Sequence, residues 1–111
     1  MSKITFDDFI SIMSYNISNM NCIEIEFGVD NSRDYRCSWL GKMLDSKTGS
    51  EIYWFGLTED GSQAYDYETF EQFSNARVFD GKSIKEIWDL VTILSIDACS
   101  AEERLPFYLE Q

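Results

Sequence analysis

Residues 22–28 read CIEIEFG, in which Ile23, Ile25 and Phe27 alternate with Glu24 and Glu26. That two-residue period puts three apolar side chains on one face of a β-strand and two carboxylates on the other, so the strand has one buried face and one wet one. The turn-rich VDNSRD that follows leads into YRCSWLGKM, where Tyr35, Cys37 and Trp39 alternate with Arg36, Ser38 and Leu40. Paired as a hairpin, the two strands would place Arg36 and Lys42 on the face of Glu24 and Glu26, each good cross-strand pair contributing roughly 0.2–1 kcal/mol.

Upstream, Phe6, Phe9, Ile10, Met13, Ile17 and Met20 recur at helical spacing over residues 6–20, with Thr5 and Asp8 as a start signal, so an amphipathic N-terminal helix is expected. Downstream, DSKTGS is a loop and EIYWFGLT is apolar on both faces, the habit of a central strand covered on two sides. Asp60-Gly61 supplies a tight-turn dipeptide, because Gly accepts positive φ. SQAYDY is then the returning strand, and Asp66 caps a short helix over 67–75 with Phe70 and Phe73 inward. Ser83 and Glu86 make a capping box, with Ile84, Ile87, Trp88 and Val91 as the buried stripe of the helix it opens. TILSID tilts towards a strand on its β-branched residues, and Pro106 ends a turn made by SAEERL, leaving PFYLEQ as an anchored tail. The expected fold is α+β over a single domain, residues 1–111. It has a mainly antiparallel sheet of four to five strands, with the N-terminal helix and two shorter helices packed on it.

The chain has 111 residues, 44% of them hydrophobic, which is material for one core and no more. A formal charge of -11 argues against unaided nucleic-acid binding, since only Lys and Arg release phosphate counterions, and points to a basic partner. The imbalance concentrates between residues 48 and 76, where Glu51, Glu59, Asp60, Asp66, Glu68 and Glu71 meet no Lys or Arg. No secretion signal is apparent in the first 25 residues and no apolar run approaches membrane-spanning length, so Asn16-Ile17-Ser18 is not expected to carry a glycan. Cys22, Cys37 and Cys99 form no C-x-x-C pair and are expected to be reduced core thiols of a cytosolic protein.

The absence of histidine removes the commonest general base and metal ligand and every Ser-His or Cys-His dyad. Gly81-Lys82-Ser83 ends like a phosphate-binding loop but lacks the earlier glycine, so a helix-entry turn is the plainer reading. Asp30-Asn31-Ser32-Arg33-Asp34 starts like a calcium loop, yet Tyr35 and Gly41 occupy the positions of its Gly and Glu, which favours a hairpin turn. Carboxylate pairs could serve a glycoside hydrolase, but among 20 acids close pairs arise by chance. The aromatic residues 53–55 are expected in the core. No enzyme activity, cofactor or metal is expected.

What remains is a surface. Glu59 and Asp60, with Tyr65, Asp66, Tyr67, Glu68 and Glu71, are expected to project from one side of the sheet as an acidic, tyrosine-bearing patch. Tyrosine gives contact area at low entropic cost, and acids opposite a basic partner speed encounter and fix register. The plain alternative is a solvated acidic face that confers solubility. Asp80, Glu86 and Asp89 form a second-choice patch.

The run ARVFDGKSIKEIWDLVTILSID at 76–97, with RLPFYL at 104–109, resembles the C-terminal half of small bacterial immunity proteins from contact-dependent growth-inhibition and related polymorphic toxin systems. The similarity covers about a third of the chain and consists of packing and capping residues. It implies a cytosolic protein, monomer or homodimer, that binds one cognate toxin C-terminal domain, often a basic nuclease, and covers its active site or substrate surface. A nuclease presents a basic groove to phosphate, which carboxylates at comparable spacing can occupy. The competing expectation is an acidic DNA-mimic regulator of DNA-binding proteins; a carboxylate-based hydrolase comes third.

Overall fold

The computed structural model describes residues 4–109. Helix α1 spans Phe6–Met13, and its capping box is the expected one: Thr5 Oγ1 accepts from Asp8 N at 3.0 Å and Asp8 Oδ2 from Thr5 N at 3.2 Å. It stops about two turns earlier than the apolar spacing suggests, at Ser14, because Asn16 turns the chain by accepting from Ser18 N. Ile17 is still buried, but from a turn, and Ile10 faces solvent where Ile12 faces the core.

Five strands follow: β1 Cys22–Val29, β2 Ser38–Leu44, β3 Glu51–Gly56, β4 Ala64–Tyr67 and β5 Val91–Ile96. They form one antiparallel sheet in the order β4-β3-β2-β1-β5, a meander whose last strand returns to the free side of β1. The fold is α+β, and TILSID is the fifth strand. β3 is not the central strand; β2 is, and β3 lies next to an edge with one face half open.

Register corrects the hairpin. Ile23 pairs with Lys42, Ile25 with Leu40 and Phe27 with Ser38, so Ser38, Leu40 and Lys42 share the buried face, while Trp39 and Met43 stand with Glu24 and Glu26. The expected phase was off by one residue, which moves every side chain to the other face. WLGKM has an apolar residue on each face, and Lys42 on the inward one was the misleading signal. Its ammonium pairs with Glu51 Oε2 at 3.1 Å, and its side chain is 1% exposed.

The connections differ as well. Asp60-Gly61 sits in a seven-residue loop between β3 and β4, with Gly61 at φ +77°. Tight two-residue turns form instead at Asp80-Gly81 and Asp97-Ala98, all four residues at positive φ, closed by reciprocal bonds of Phe79 with Lys82 and of Ile96 with Cys99. Helix α2, Phe70–Asn75, is capped by Thr69, not Asp66, which β4 holds. The Ser83/Glu86 box is present at 3.0 and 3.2 Å, but it closes a turn followed by a 3-10 segment, Trp88–Leu90, and no α-helix forms. Val91 and the β-branched residues after it go into the sheet against β1, and that pairing ends the helical turn. Helix α3, Ala101–Leu109, replaces the expected turn and tail: Ser100 Oγ accepts from Glu103 N, and Pro106 lies inside the helix.

Phe9 of α1, Phe73 of α2 and Trp88 form one aromatic layer over β3, with Phe73 stacked on Phe55 at 4.2 Å and Trp88 4.8 Å from Phe9. Tyr15 and Tyr108 bring α3 against the end of α1, and both rings sit beside the same core. These contacts all lie on the face of Ile23, Ile25, Phe27, Leu40 and Phe55. Among the described residues no helix is long and apolar enough to cross a membrane.

Candidate functional site

The seven expected patch residues flank edge strand β4 but do not share one surface. Alternation along Ala64–Tyr67 turns Tyr65 and Tyr67 to the covered side, where they register with Phe55 and Tyr53, and turns Asp66 to the opposite side beside Trp54. Tyr67 is half-buried, its ring against Phe55 and Phe73, and burial pushes its hydroxyl pKa up. Tyr65 is exposed. Asp66, Tyr67 and Glu68 line one shallow groove with Gln72, Asn75 and Ala76, and exposed Glu71 lies on the same helix, α2.

Glu59 and Asp60 stand at the other end of β4, which at ~3.3 Å per residue is roughly 13 Å away. They share a groove with Arg33, Asp34, Arg36 and Cys37, so the acids of this loop have basic neighbours that the local sequence does not show. Asp60 also has a structural task. Its Oδ1 accepts from Ser62 N at 2.9 Å and Thr58 Oγ1 at 2.8 Å, and these bonds, the Ser62 backbone N–H foremost, hold its pKa at about 2. In the second-choice patch, Glu86 is engaged as a cap, with its pKa lowered first by the Ser83 backbone N–H, and Asp80 lies in the tight turn.

The thiols are not in the core. Cys37 and Cys99 are exposed, Cys22 is intermediate, and all three are free. Cys37 precedes β2 instead of lying within a strand, and its Sγ donates to Glu26 Oε2 at 2.7 Å, which raises its pKa; burial, then Glu24, raises that of Cys22. A raised pKa keeps a thiol protonated and a poor nucleophile. The Asp30 loop is tied to β5 by Thr92 Oγ1 donating to Asp30 Oδ1 at 3.1 Å. Among the described residues no three His, Cys, Asp or Glu side chains come together as a metal site.

One more polar cluster is structural. Asp97 joins the end of β5 to β1 and α3: its Oδ1 accepts from Glu24 N at 3.0 Å, and its Oδ2 accepts from Arg104 Nε at 2.9 Å and from the Tyr108 hydroxyl. Burial first, then this bond to Asp97, raises the Tyr108 pKa far above its usual 10.

The other face of the sheet carries Trp39 and Trp54 together with Glu24 and Glu26. Glu24, Gly41, Trp54 and Asp66 form one row across β1 to β4, and Glu26, Trp39, Gly56 and Ala64 form the next; Met43 and Ile52 pair beyond them. Trp39 is 37% exposed and Met43 40%, while Ile52 and Trp54 are half-buried. So of the aromatic triplet expected in the core, Tyr53 and Phe55 turn inward and Trp54 does not. Glu24 and Glu26, taken from sequence as partners for Arg36 and Lys42, accept from Cys22, Cys37 and Ser95 instead. The signal that would have found this face is the hairpin register: set Ile23 opposite Lys42, and Trp39 falls beside Glu26.

Compared with family models, with curated proteins and with solved structures, the chain matches none.

Proposed function

We propose that this chain is a cytosolic immunity protein that binds and neutralises one cognate toxin domain, a basic nuclease, by covering its active site or substrate surface. The observation that carries the reading is uncompensated negative charge on an ordered frame. Glu24, Glu26, Asp66, Glu68 and Glu71 have no Lys or Arg within 4 Å among the described residues, whose ion pairs engage Glu51 and Asp97 instead. Such a surface steers a basic protein into encounter and repels nucleic acid. It acts by occupying the partner, with no turnover. The resemblance of residues 76–97 and 104–109 to immunity proteins supports the same role. Of the expected patch, Tyr65, Asp66, Tyr67, Glu68 and Glu71 stand around β4 and α2, whereas Glu59 and Asp60 lie apart from them, in a groove with Arg33 and Arg36.

The test begins by reading the neighbouring reading frame for a large secreted protein that ends in a variable, basic C-terminal domain, and expresses that domain as an inactive variant for binding and as wild type for toxicity; a neighbourhood that encodes none counts against the reading. Co-expression of this chain should restore growth, and titration calorimetry should show binding that weakens as salt rises. Growth arrest that persists, with no heat of binding at low salt, would sink the proposal. Comparable capture of several unrelated basic proteins would select a DNA-mimic regulator instead. Replacing Asp60, Asp66 and Glu68 together by Ser should lower affinity and flatten its salt dependence; no change in either would remove the patch.

A further inference from the structure

We infer that the uncovered sheet face is the surface on which the basic toxin domain docks, with Trp39, Met43, Ile52 and Trp54 as its apolar centre and Glu24, Glu26 and Asp66 as its acidic border. This rests on the toxin-binding reading and names the site and the chemistry of the partner.

The centre is built for contact. A side chain at Gly41 would put its Cβ 1.9 Å from Ile23 O and 3.0 Å from Trp54 Cζ2, so only glycine leaves the space in which the Trp54 indole lies across β2. At Gly56 a Cβ would come within 3.8 Å of Trp54 Cζ3 and 4.0 Å of Trp39 Cβ. Gly41 thus leaves room for the Trp54 indole, while a Cβ at Gly56 would make only ordinary contact with both indoles, on a face that no helix covers among the described residues. Tryptophan surrounded by a polar border is the composition of interface hot spots, and apolar surface of this kind in water marks an interaction site.

Charge selects the occupant. Glu24 and Asp66 end the row that holds Trp54, three strand spacings apart, which at ~4.8 Å each is roughly 14 Å. Glu26 borders Trp39. A second copy of this chain would set these carboxylates against its own, and nucleic acid would set phosphate against them; both are repelled. Arg33 and Arg36 stand beyond one corner, beside Leu94 and Thr92 with Asp30, and orient the partner without neutralising the row. The surface therefore fits a protein with an apolar ridge flanked by Lys or Arg, its cations roughly 14 Å apart to meet both ends of the row.

The experiment compares Trp39→Thr/Met43→Thr, Glu24→Gln/Glu26→Gln and Glu68→Gln/Glu71→Gln, each first shown by circular dichroism to fold. The probe is the inactive form of the C-terminal domain sought in the neighbouring reading frame, and the readouts are affinity at two salt concentrations and growth rescue. The first pair should weaken binding by roughly 30-fold or more, the size of a lost hot spot. The second should slow association and flatten the salt dependence, and the third should do less than either. Rescue and affinity retained by both open-face pairs but lost in the third would place docking in the β4–α2 groove; the inference would fall and the toxin reading would stand. If the wild-type chain neither binds nor rescues, the toxin reading falls. The surface is then judged with a synthetic amphipathic helix carrying Leu on one stripe and Lys on both flanks. Salt-sensitive blue-shifted emission from Trp39 and Trp54, lost in Trp39→Thr/Met43→Thr, would support it, and unchanged emission would overturn it. A wild-type dimer by light scattering that Trp39→Thr dissociates would also overturn it, by giving the face to a second copy.

Discussion

Phe55 and Trp54 are neighbours in β3. Phe55 lies under α2, stacked on Phe73 and almost fully buried, whereas Trp54 lies on the far side of the sheet over Gly41 and stays half in water. Both are large aromatics, so hydrophobicity does not distinguish them. Position does: the strand's pleat sends alternate residues to opposite faces, and α1, α2 and the Trp88 segment all pack on one of these. The covered face should therefore carry stability and the open face recognition.

The largest test of that division removes one aromatic from each face. Phe55→Ala should cost about 3–5 kcal/mol, since it empties a site enclosed by Tyr67, Phe73 and Phe79. In a domain of this size that is much of the total stability. Trp39→Thr puts a β-branched residue, itself a good strand former, in place of the half-exposed indole and should cost about 1 kcal/mol or less. Urea melts of the two variants check this; similar losses would mean that the open face is held by contacts of its own.

A finer test lies within the covered face, at Lys42 and Glu51. The Lys42 side chain is 1% exposed and that of Glu51 36%, so the pair is asymmetric. Glu51→Ala would strand a buried ammonium and should cost about 2–3 kcal/mol, less than for a fully buried pair because relaxation can let water reach Lys42 from the side Glu51 occupied. Lys42→Met leaves an exposed carboxylate that water can solvate and fills the same space with an apolar chain; it should change stability by less than about 1 kcal/mol. Equal costs would show that Lys42 is not desolvated.

Alkaline titration reaches the covered face from its rim. Tyr35, Tyr53, Tyr67 and Tyr108 all have pKa values raised above 10, burial being the first cause in each. A raised folded pKa means the native state holds these protons more tightly than the unfolded chain does. The stability this supplies is whole below pH 10 and drains away as pH climbs above it. Thermal melts followed by circular dichroism should show the midpoint falling from about pH 10 upward. Tyr108→Phe should lose about 1–2 kcal/mol at neutral pH, with its bond to Asp97, and show a shallower alkaline decline. An unchanged slope would mean that Tyr108 does not take part.

Much of this architecture is written in local pattern. CIEIEFG places β1 and its buried face, Thr5/Asp8 starts α1, and the 92–96 run joins the sheet. What failed was set by pairs distant in sequence. Only the Ile23–Lys42 register reveals that Lys42 is inside and Trp39 outside, and only the return of residues 91–96 to β1 explains why a good capping box opens no α-helix. Reading Pro106 as the end of a turn hid α3, whose start is marked by Ser100 with Glu103 three residues on and which, held by Ala101 and Tyr108, accommodates the proline. Of the acidic patch, sequence found the charge but not its division: Asp66 and Glu59 are separated by the pleat and length of β4.

The smallest effect isolates a turn that belongs to neither face. Asp80-Gly81 and Asp97-Ala98 have the same backbone, two successive residues at positive φ closed by reciprocal bonds, Phe79 with Lys82 and Ile96 with Cys99. Gly81 adopts φ +87° without strain, whereas Ala98 holds φ +65° with a Cβ, at a cost of roughly 1–2 kcal/mol. Asp97 must remain, because its carboxylate joins β1 to α3, but Ala98 is exposed and makes no side-chain bond that glycine would lose. Ala98→Gly removes the strain and adds unfolded-state entropy of about 0.4–1 kcal/mol, so the net gain should be about 0.5 kcal/mol. In a domain near 100 residues this raises the melting midpoint by roughly 2–4 °C. Since the turn touches neither Phe55 nor Trp54, the gain should come with unchanged emission from Trp39 and Trp54 and unchanged partner affinity. A lower midpoint would mean that Ala98 is not strained, and a changed emission would mean that the edge of β5 and the open face are not independent.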